Sequence, residues 1–358
     1  MHETTQKALF FLGRPLGPLY AMAMKLRVSL YDKHLLKQYK LDIPVISIGN
    51  LTFGGTGKTP LVIYLAELLR DHGFKPAVVS RGYRGTSRNK ANIVSDGSSR
   101  LMDVSSAGDE PVLVSESLDG VIVATGKKRI HPCLEVIGKY DCDVIILDDG
   151  FQHLSLARTL DLVLFDVEQF AGNSRVFPGG ELREPVNALS RCDGFVLTGV
   201  SDDNLERADK CRALLTSRFG GKPVFLNKNK YSQAVKYQIS AEQITKTRIE
   251  ISEIPEQLFC FCGLGHPERF FRMVQKQGLT LSGVKAYPDH HRYSPADINQ
   301  LTALAEQAGA PGFLTTEKDM VKMNPSHHCP LPFFTPVLTM DADPNLVDMV
   351  LGKIKNLK

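Results

Sequence analysis

The sequence has no disulfide framework: its seven cysteines are an odd number, and no two form a C-x-x-C pair. That excludes both a cystine-stapled secreted fold and a zinc ribbon. Cys260 and Cys262 stand two apart on one face of an apolar, strand-like run and read as buried thiols in a reducing compartment. The chain also lacks any uninterrupted apolar run of the ~20 residues that a spanning helix needs. Its apolar N-terminal stretches, residues 8–13 and 16–24, are interrupted by Arg14, Pro15 and Pro18. The same residues spoil the core of a signal peptide, although Lys7 before it and Ala21-Met-Ala23 after it would frame one. A large excess of one charge is missing too. Forty-three basic and 39 acidic residues leave a net charge of +4. That balance permits an anionic membrane or a phosphate-rich ligand and is not a nucleic-acid signature. There is no low-complexity segment and no repeat of solenoid period. With 43% hydrophobic and 23% charged residues over 358 positions, the chain is globular, with room for one large domain or two ordinary ones.

What is present is organised around Ile43-Pro-Val-Ile-Ser-Ile-Gly-Asn-Leu-Thr-Phe-Gly-Gly-Thr-Gly-Lys-Thr59. An apolar β-run, a glycine-rich turn and Lys58-Thr59 opening a helix follow one another, as a phosphate-binding loop requires. In such a loop, backbone N–H groups and the helix N-terminus face the anion, the lysine reaches the β- and γ-phosphates, and the hydroxyl faces Mg²⁺. The strict pattern G-x-x-x-x-G-K-[ST] places glycine where this chain has Thr52. Ahead of the loop, Leu19, Met22, Ala23, Leu26 and Leu30 follow helical spacing with Lys25 and Arg27 off that stripe. They read either as a helix lying in a membrane interface or as one packed on its own domain.

Basic residues then recur where strands end. Ala77–Ser80 leads into Arg81-Gly-Tyr-Arg-Gly85, and Val121–Ala124 leads into Gly126-Lys-Lys-Arg129. In doubly wound sheets ligands gather outside the carboxyl ends of strands, so this convergence points to a heavily anionic ligand. Asp143-Val-Ile-Ile-Leu-Asp-Asp-Gly-Phe-Gln-His153 is an apolar strand closing on paired carboxylates, the element in which one carboxylate helps to hold Mg²⁺. Further strands are predicted at Leu162–Phe165, Gly194–Thr198 and Pro223–Leu226, alternating with helical patterns, which argues for a parallel α/β sheet. The second half repeats a strand, glycine turn and helix at Gln257–Phe271 without the Lys-Thr pair. The expected organisation is a membrane-interface helix region at 1–42, a P-loop NTPase-like domain at 43–225 and a smaller Rossmann-like α/β domain at 226–358.

Seven ordered motifs match one family. They are Gly49–Pro60, Ser80-Arg-Gly-Tyr83, Gly108-Asp-Glu-Pro111, Asp148–His153, Leu182-Arg-Glu-Pro185, Pro288-Asp-His290 and Thr315-Thr-Glu-Lys-Asp319. The chain resembles the tetraacyldisaccharide 4′-kinases, the lipid A 4′-kinases of Gram-negative bacteria, whose own loop also lacks the first glycine. The resemblance implies transfer of the ATP γ-phosphate to the 4′-hydroxyl of an acylated glucosamine disaccharide 1-phosphate. It also implies a peripheral or monotopic position on the cytoplasmic face of the inner membrane, and no nucleic-acid partner. Asn50, Gly54, Gly55, Thr56, Gly57, Lys58 and Thr59 would line the nucleotide phosphates, with Arg81, Tyr83, Arg129, Gln152 and Arg183 near the phosphates or the sugar. Thr59, Asp148 or Asp149, and Glu184 would hold Mg²⁺. Asp109 would take the hydroxyl proton, paired with His290 from the second half, beside Lys58. A rival reading, a P-loop GTPase switch or metal-chaperone NTPase, calls for an N-K-x-D element; Asn227-Lys-Asn-Lys230 lacks its aspartate.

Overall fold

A computed structural model describes residues 3–355, with side chains from Ala8 onward; the Lys7 side chain lies outside the described residues. Two helices lead in, α1 (Glu3–Gly13) and α2 (Gly17–Asp32), joined by one tight turn at Arg14–Leu16. Pro15 and Pro18, which break the apolar run, sit in the first turns of helical segments, where a missing N–H leaves nothing unpaired. Leu19, Met22 and Leu26 form the expected stripe on α2 and are about 60% exposed, beside exposed Leu9, Phe11 and Leu12. The opposite face holds the helix to the body. Tyr20 donates to the Arg183 carbonyl at 2.9 Å, and Arg27 donates to the Gln152 carbonyl at 3.1 Å. Arg27 therefore turns inward rather than out among the bases beside the stripe.

The main body begins with β1 (Val45–Asn50), α3 (Lys58–Asp71), β2 (Pro76–Ser80) and β3 (Asn92–Ser95). Next come α4 (Val104–Ala107), α5 (Asp109–Ser117), β4 (Ile122–Thr125), α6 (Ile130–Tyr140) and β5 (Val144–Asp148). It continues through β6 (Leu160–Asp166), β7 (Gly194–Val200), α7 (Leu205–Arg218) and β8 (Val224–Lys230). A second layer follows: β9 (Gln233–Ile239), β10 (Ile244–Glu250), β11 (Leu258–Cys262), α8 (Pro267–Lys276), β12 (Leu281–Ala286) and α9 (Pro295–Gln307). Then come β13 (Phe313–Leu314), α10 (Glu317–Met320), β14 (Phe333–Pro336), β15 (Thr339–Asp341) and α11 (Pro344–Lys355). Nine strands form one sheet in the order β15-β8-β7-β6-β1-β5-β2-β4-β3, and six form another in the order β10-β9-β14-β13-β11-β12. In the first sheet β8 through β4 run parallel and only the two edges, β15 and β3, are antiparallel.

Burial explains why the strands read as continuous apolar runs. Ile46 and Ile48 of β1 pack with Val144 and Ile146 of β5 against α3, while Val45, Ile145 and Leu147 pack on the other face against α6. In β11 the alternation is direct. Phe259 and Phe261 face one core, and Leu258, Cys260 and Cys262 face the other, so the two cysteines are buried on a common face as their spacing implies.

The first sheet does not stop near residue 225. Val224–Lys230 is its eighth strand, and the chain comes back to it: β15 pairs with β8, and Leu346, Val350 and Ile354 of α11 sit in the core beside α3. The half of β8 beyond Leu226 carries the polar run Asn-Lys-Asn-Lys, yet Asn227 is fully buried and bonded to Met340 and Asp343. In the segment 227–230, Lys228 pairs with Asp202 and Lys230 with Asp341 at the surface. Replacing Leu346 by Ala empties a fully buried site and is expected to cost about 2–5 kcal/mol, whereas Leu26→Ala on the exposed stripe leaves stability nearly unchanged. Denaturant titration of the two variants measures the difference.

Candidate active site

The carboxyl ends of β1, β2, β4 and β5 converge on one edge of the first sheet. The glycine-rich loop spans Leu51 to Gly57 between β1 and α3. Its first residues are held by backbone pairing with the later loop: Phe53 N–H donates to the Glu181 carbonyl and Arg183 N–H to the Leu51 carbonyl, both at 2.8 Å. Thr52, in the position of the missing glycine, is buried and makes an antiparallel bridge to Leu182. Gly57 has φ of 72°, the left-handed conformation that lets the loop enter the helix at Lys58. Thr198 donates to the Thr56 carbonyl from below at 2.9 Å. Two buried oxygens in the cradle, Asn50 Oδ1 and Thr56 Oγ1, have no partner. Thr59 lies in the first turn of α3, with no acidic residue in that turn. The N-terminal N–H groups there are free for an anion.

Asp148 and Asp149 are neighbours in sequence with opposite surroundings. Asp149, at φ of 54°, turns its carboxylate toward cations: Arg183 Nη1 donates to both oxygens at 2.8 and 2.7 Å, and Lys58 Nζ stands 3.5 Å away. Burial would raise its pKa, but Lys58, Arg183 and Arg129 hold it below the ordinary carboxylate value. Asp148 ends β5 almost fully buried, and its Oδ1 has no partner. Burial, followed by the charge of Glu110, pushes its pKa up to about 7 against the pull of Lys58. A buried carboxylate with an orphaned oxygen beside a phosphate loop fits a hard divalent cation. Arg129 is also buried there, its pKa lowered to about 10 by burial and by Arg81 against the pull of both aspartates. His153 reports the same field. Burial and the charges of Arg129, Arg158, Arg27 and Arg81 press its pKa down to about 3, so the ring stays neutral.

Across the cleft, Asp109 opens α5 after Gly108, whose φ of 95° and tight approach to the Tyr83 carbonyl leave no room for a side chain. His290 comes from the loop between β12 and α9, and its Nδ1 meets Asp109 Oδ2 at 2.8 Å. Burial raises the Asp109 pKa, but the His290 hydrogen bond, Lys322, the His290 charge and Lys318 together hold it below the ordinary value. The two sheets thus meet at this pair.

Several expected residues act differently. Glu184, expected at the metal, is buried and doubly paired with Arg191, 2.9 Å at each oxygen, and Arg191 lies 4.0 Å from the Phe151 ring centre. That carboxylate is committed to the loop's own scaffold. Gln152 donates its amide to the Asn50 carbonyl at 2.9 Å, so it fixes the loop. Arg81 and Tyr83 remain at the exposed rim. Arg27, which the sequence places beside the helix stripe, and Arg158 and Arg191, which no motif singles out, all turn inward, a direction set only by tertiary packing.

A parallel sheet with a strand–glycine loop–helix unit and a carboxylate strand beside it defines a P-loop-type nucleotide-binding α/β protein. The chain belongs to the tetraacyldisaccharide-1-P 4′-kinase (LpxK) family, whose model matches residues 9–355. It is 44% identical over 337 residues to the tetraacyldisaccharide 4′-kinase of Desulfotalea psychrophila, covering 94% of each chain. It is 39% identical over 323 residues to that of Syntrophus aciditrophicus, covering 87% of this chain and 84% of that one. The crystal structure of LpxK from Aquifex aeolicus in complex with ATP superposes with a TM-score of 0.76 at 29% identity, over 95% of this chain and 98% of that one.

Because the folded-state pKa of Asp148 lies above its unfolded value of 3.8, the folded protein retains a proton that the unfolded chain gives up as pH rises toward 7. Ligand-free stability therefore falls across that window. Asp148→Asn is expected to melt higher than the parent at pH 7–8 in the absence of nucleotide and metal. The gap should close as the pH is lowered toward 4, and thermal denaturation at a series of pH values reads it out.

Proposed function

We propose that this chain transfers the γ-phosphate of ATP to the 4′-hydroxyl of a tetraacyl-disaccharide 1-phosphate, giving the 1,4′-bisphosphate. The observation that carries the reading is the Asp109–His290 hydrogen bond, which sets a proton acceptor from one sheet against a ring from the other beside the glycine-rich loop. Phosphoryl transfer through a loose transition state asks mainly for positioning and charge neutralisation. Gly54, Gly55, Thr56 and Gly57 cradle the phosphates with backbone N–H groups, and Lys58 neutralises the β/γ region. Asp149 keeps Lys58 and Arg183 on station, and buried Arg129 adds a cation with its solvation already removed. Asp148 and Thr59 would hold Mg²⁺, which when bound supplies charge neutralisation to the phosphate oxygens. The acceptor oxygen attacks the γ-phosphorus, its proton passes to the Asp109 carboxylate held by His290, and the bond to the ADP oxygen breaks. A carboxylate kept below its ordinary pKa is ionised at neutral pH and ready for that proton.

The acceptor is membrane-embedded in this reading. The exposed stripe of Leu19, Met22 and Leu26, continued by Leu9, Phe11 and Leu12, would lie in the interface of the inner membrane's cytoplasmic leaflet. No helix among the described residues is long and apolar enough to cross a membrane, which suits a peripheral or monotopic seat. Tyr20 on the inner face of that helix packs edge-on against Phe177, and Phe177 against Phe53 of the glycine-rich loop. The membrane-facing helix and the nucleotide loop thereby share one aromatic row. The six-stranded layer serves as a smaller Rossmann-like domain that carries His290 to the cleft.

With labelled ATP and the disaccharide 1-phosphate in detergent, the purified protein should yield labelled bisphosphate; release of phosphate to water alone would overturn the reading. Asp109→Ala should lower the rate by about 10²–10⁴-fold with ATP binding kept. Loss of ATP affinity with chemistry intact would make Asp109 a nucleotide ligand instead. In vesicle sedimentation, Leu19→Ser/Met22→Ser/Leu26→Ser should shift the protein from the lipid pellet to the supernatant while leaving turnover of detergent-dispersed acceptor in place.

A further inference from the structure

We propose that Lys322, held by Asp319, is a positioning residue for the Asp109–His290 pair, brought to the first sheet's site by the segment that follows α10. The inference rests on the reading of Asp109 as the proton acceptor. Lys322 is a long, hydrophilic side chain that is nonetheless only 4% exposed. Its Nζ lies 2.9 Å from Asp319 Oδ1 and 3.9 Å from Asp109 Oδ2. Oδ2 is the same oxygen that meets His290 Nδ1. Two cationic or donating groups therefore bear on one oxygen of Asp109, which leaves Oδ1 as the oxygen to receive a proton.

Asp319 explains how the lysine is held. It is fully buried, and its carboxylate accepts hydrogen bonds from Gly263 N–H at 3.2 Å to each oxygen, from the Tyr293 hydroxyl at 3.0 Å and from the Thr316 hydroxyl at 2.6 Å. With this many fixed donors its rotamer is set, and Lys322 is set with it. The same anchor reaches the histidine by a second route. Gly263, whose N–H Asp319 grips, accepts the His290 backbone N–H through its carbonyl at 3.1 Å. His290 needs such a grip, because its φ of 61° is a left-handed conformation that a β-carbon disfavours. One buried carboxylate thus sets both partners of Asp109.

The charged groups facing Asp109 come from three places. His290 and Asp289 (3.6 Å from His290 Nε2) lie on the loop before α9, and Lys318, paired with Glu110 at 3.6 Å, lies on α10. Lys322 and Asp319 close the same segment, and Glu110 follows Asp109 on α5. A lysine that merely neutralised buried Asp319 would need no second carboxylate within reach. This one sits between the two aspartates, joining the second sheet to the residue that takes the proton.

The test uses the full chain with ATP and the disaccharide 1-phosphate in detergent, comparing Lys322→Met and Lys322→Arg. In Lys322→Met, kcat should fall about 10- to 100-fold, the KM for ATP should stay within about twofold, and the acid limb of the kcat profile should move to higher pH. Lys322→Arg, which keeps the charge, should restore most of kcat and the parental limb. An unmoved acid limb in folded Lys322→Met, or a loss shared equally by kcat and ATP affinity, would overturn the proposal. Should the single variant melt below the assay temperature because Asp319 is left uncompensated, Lys322→Met/Asp319→Asn removes both buried charges and must show the same displaced limb. Asp109→Ala separates the two readings: if it turns over normally, the proton-acceptor reading fails. If it is inactive while Lys322→Met behaves as the parent, only the role of Lys322 fails.

Discussion

Two adjacent carboxylates at the end of one strand govern the site. The β5 backbone ends at Asp148 and turns over at Asp149 with a left-handed φ, so consecutive side chains face different surroundings. One carboxylate is spent on Lys58 and Arg183, tying the nucleotide loop to the segment that carries Leu182. The other stays buried with an oxygen unmatched. Such a group is an expense in the empty protein, and it persists because the strands on either side leave it no way out to water. The arginines gathered around His153 have the same character. Held close before any anion arrives, they are a preorganised field that a phosphate-rich ligand relaxes.

The second sheet supplies what the first cannot. A nucleotide loop and a carboxylate strand make a phosphate site open to water, with nothing to choose between water and a sugar hydroxyl. His290 reaches Asp109 from another layer, and Lys318 reaches Glu110 from a third segment. The Asp109–His290 contact exists only where the two layers meet, and it is made by side chains.

Much of this was legible in the chain. The glycine turn between an apolar run and Lys58, the strand ending in paired aspartates, and the basic strand ends each require their residue types for local reasons, and they occupy the expected elements. Glu184 and Gln152 were not legible, because a charged or amide side chain next to a motif can equally hold the motif in shape. Arg191 and the Asn50 carbonyl claim them only after the chain has folded. The β9–β10 hairpin escaped as well. Its outer strand Ile244–Glu250 is mostly exposed and polar, so no periodic apolar face marks it. Lys322 has no signal of its own, and what points to it is Asp319 three residues earlier in a matched motif.

The path of the chain through its two sheets has a mechanical meaning. The six-stranded layer begins after Lys230 and ends before Thr339, and the strands on either side of it, β8 and β15, are hydrogen-bonded to each other in the first sheet. A layer attached by one strand could swivel as well as swing. Entered and left through two strands lying side by side, this one is tied to the first sheet along one edge, and ion pairs such as Lys246–Glu116 and Lys276–Asp203 bridge the two layers elsewhere. The returning strand and these bridges together hold the layer that carries His290 against Asp109.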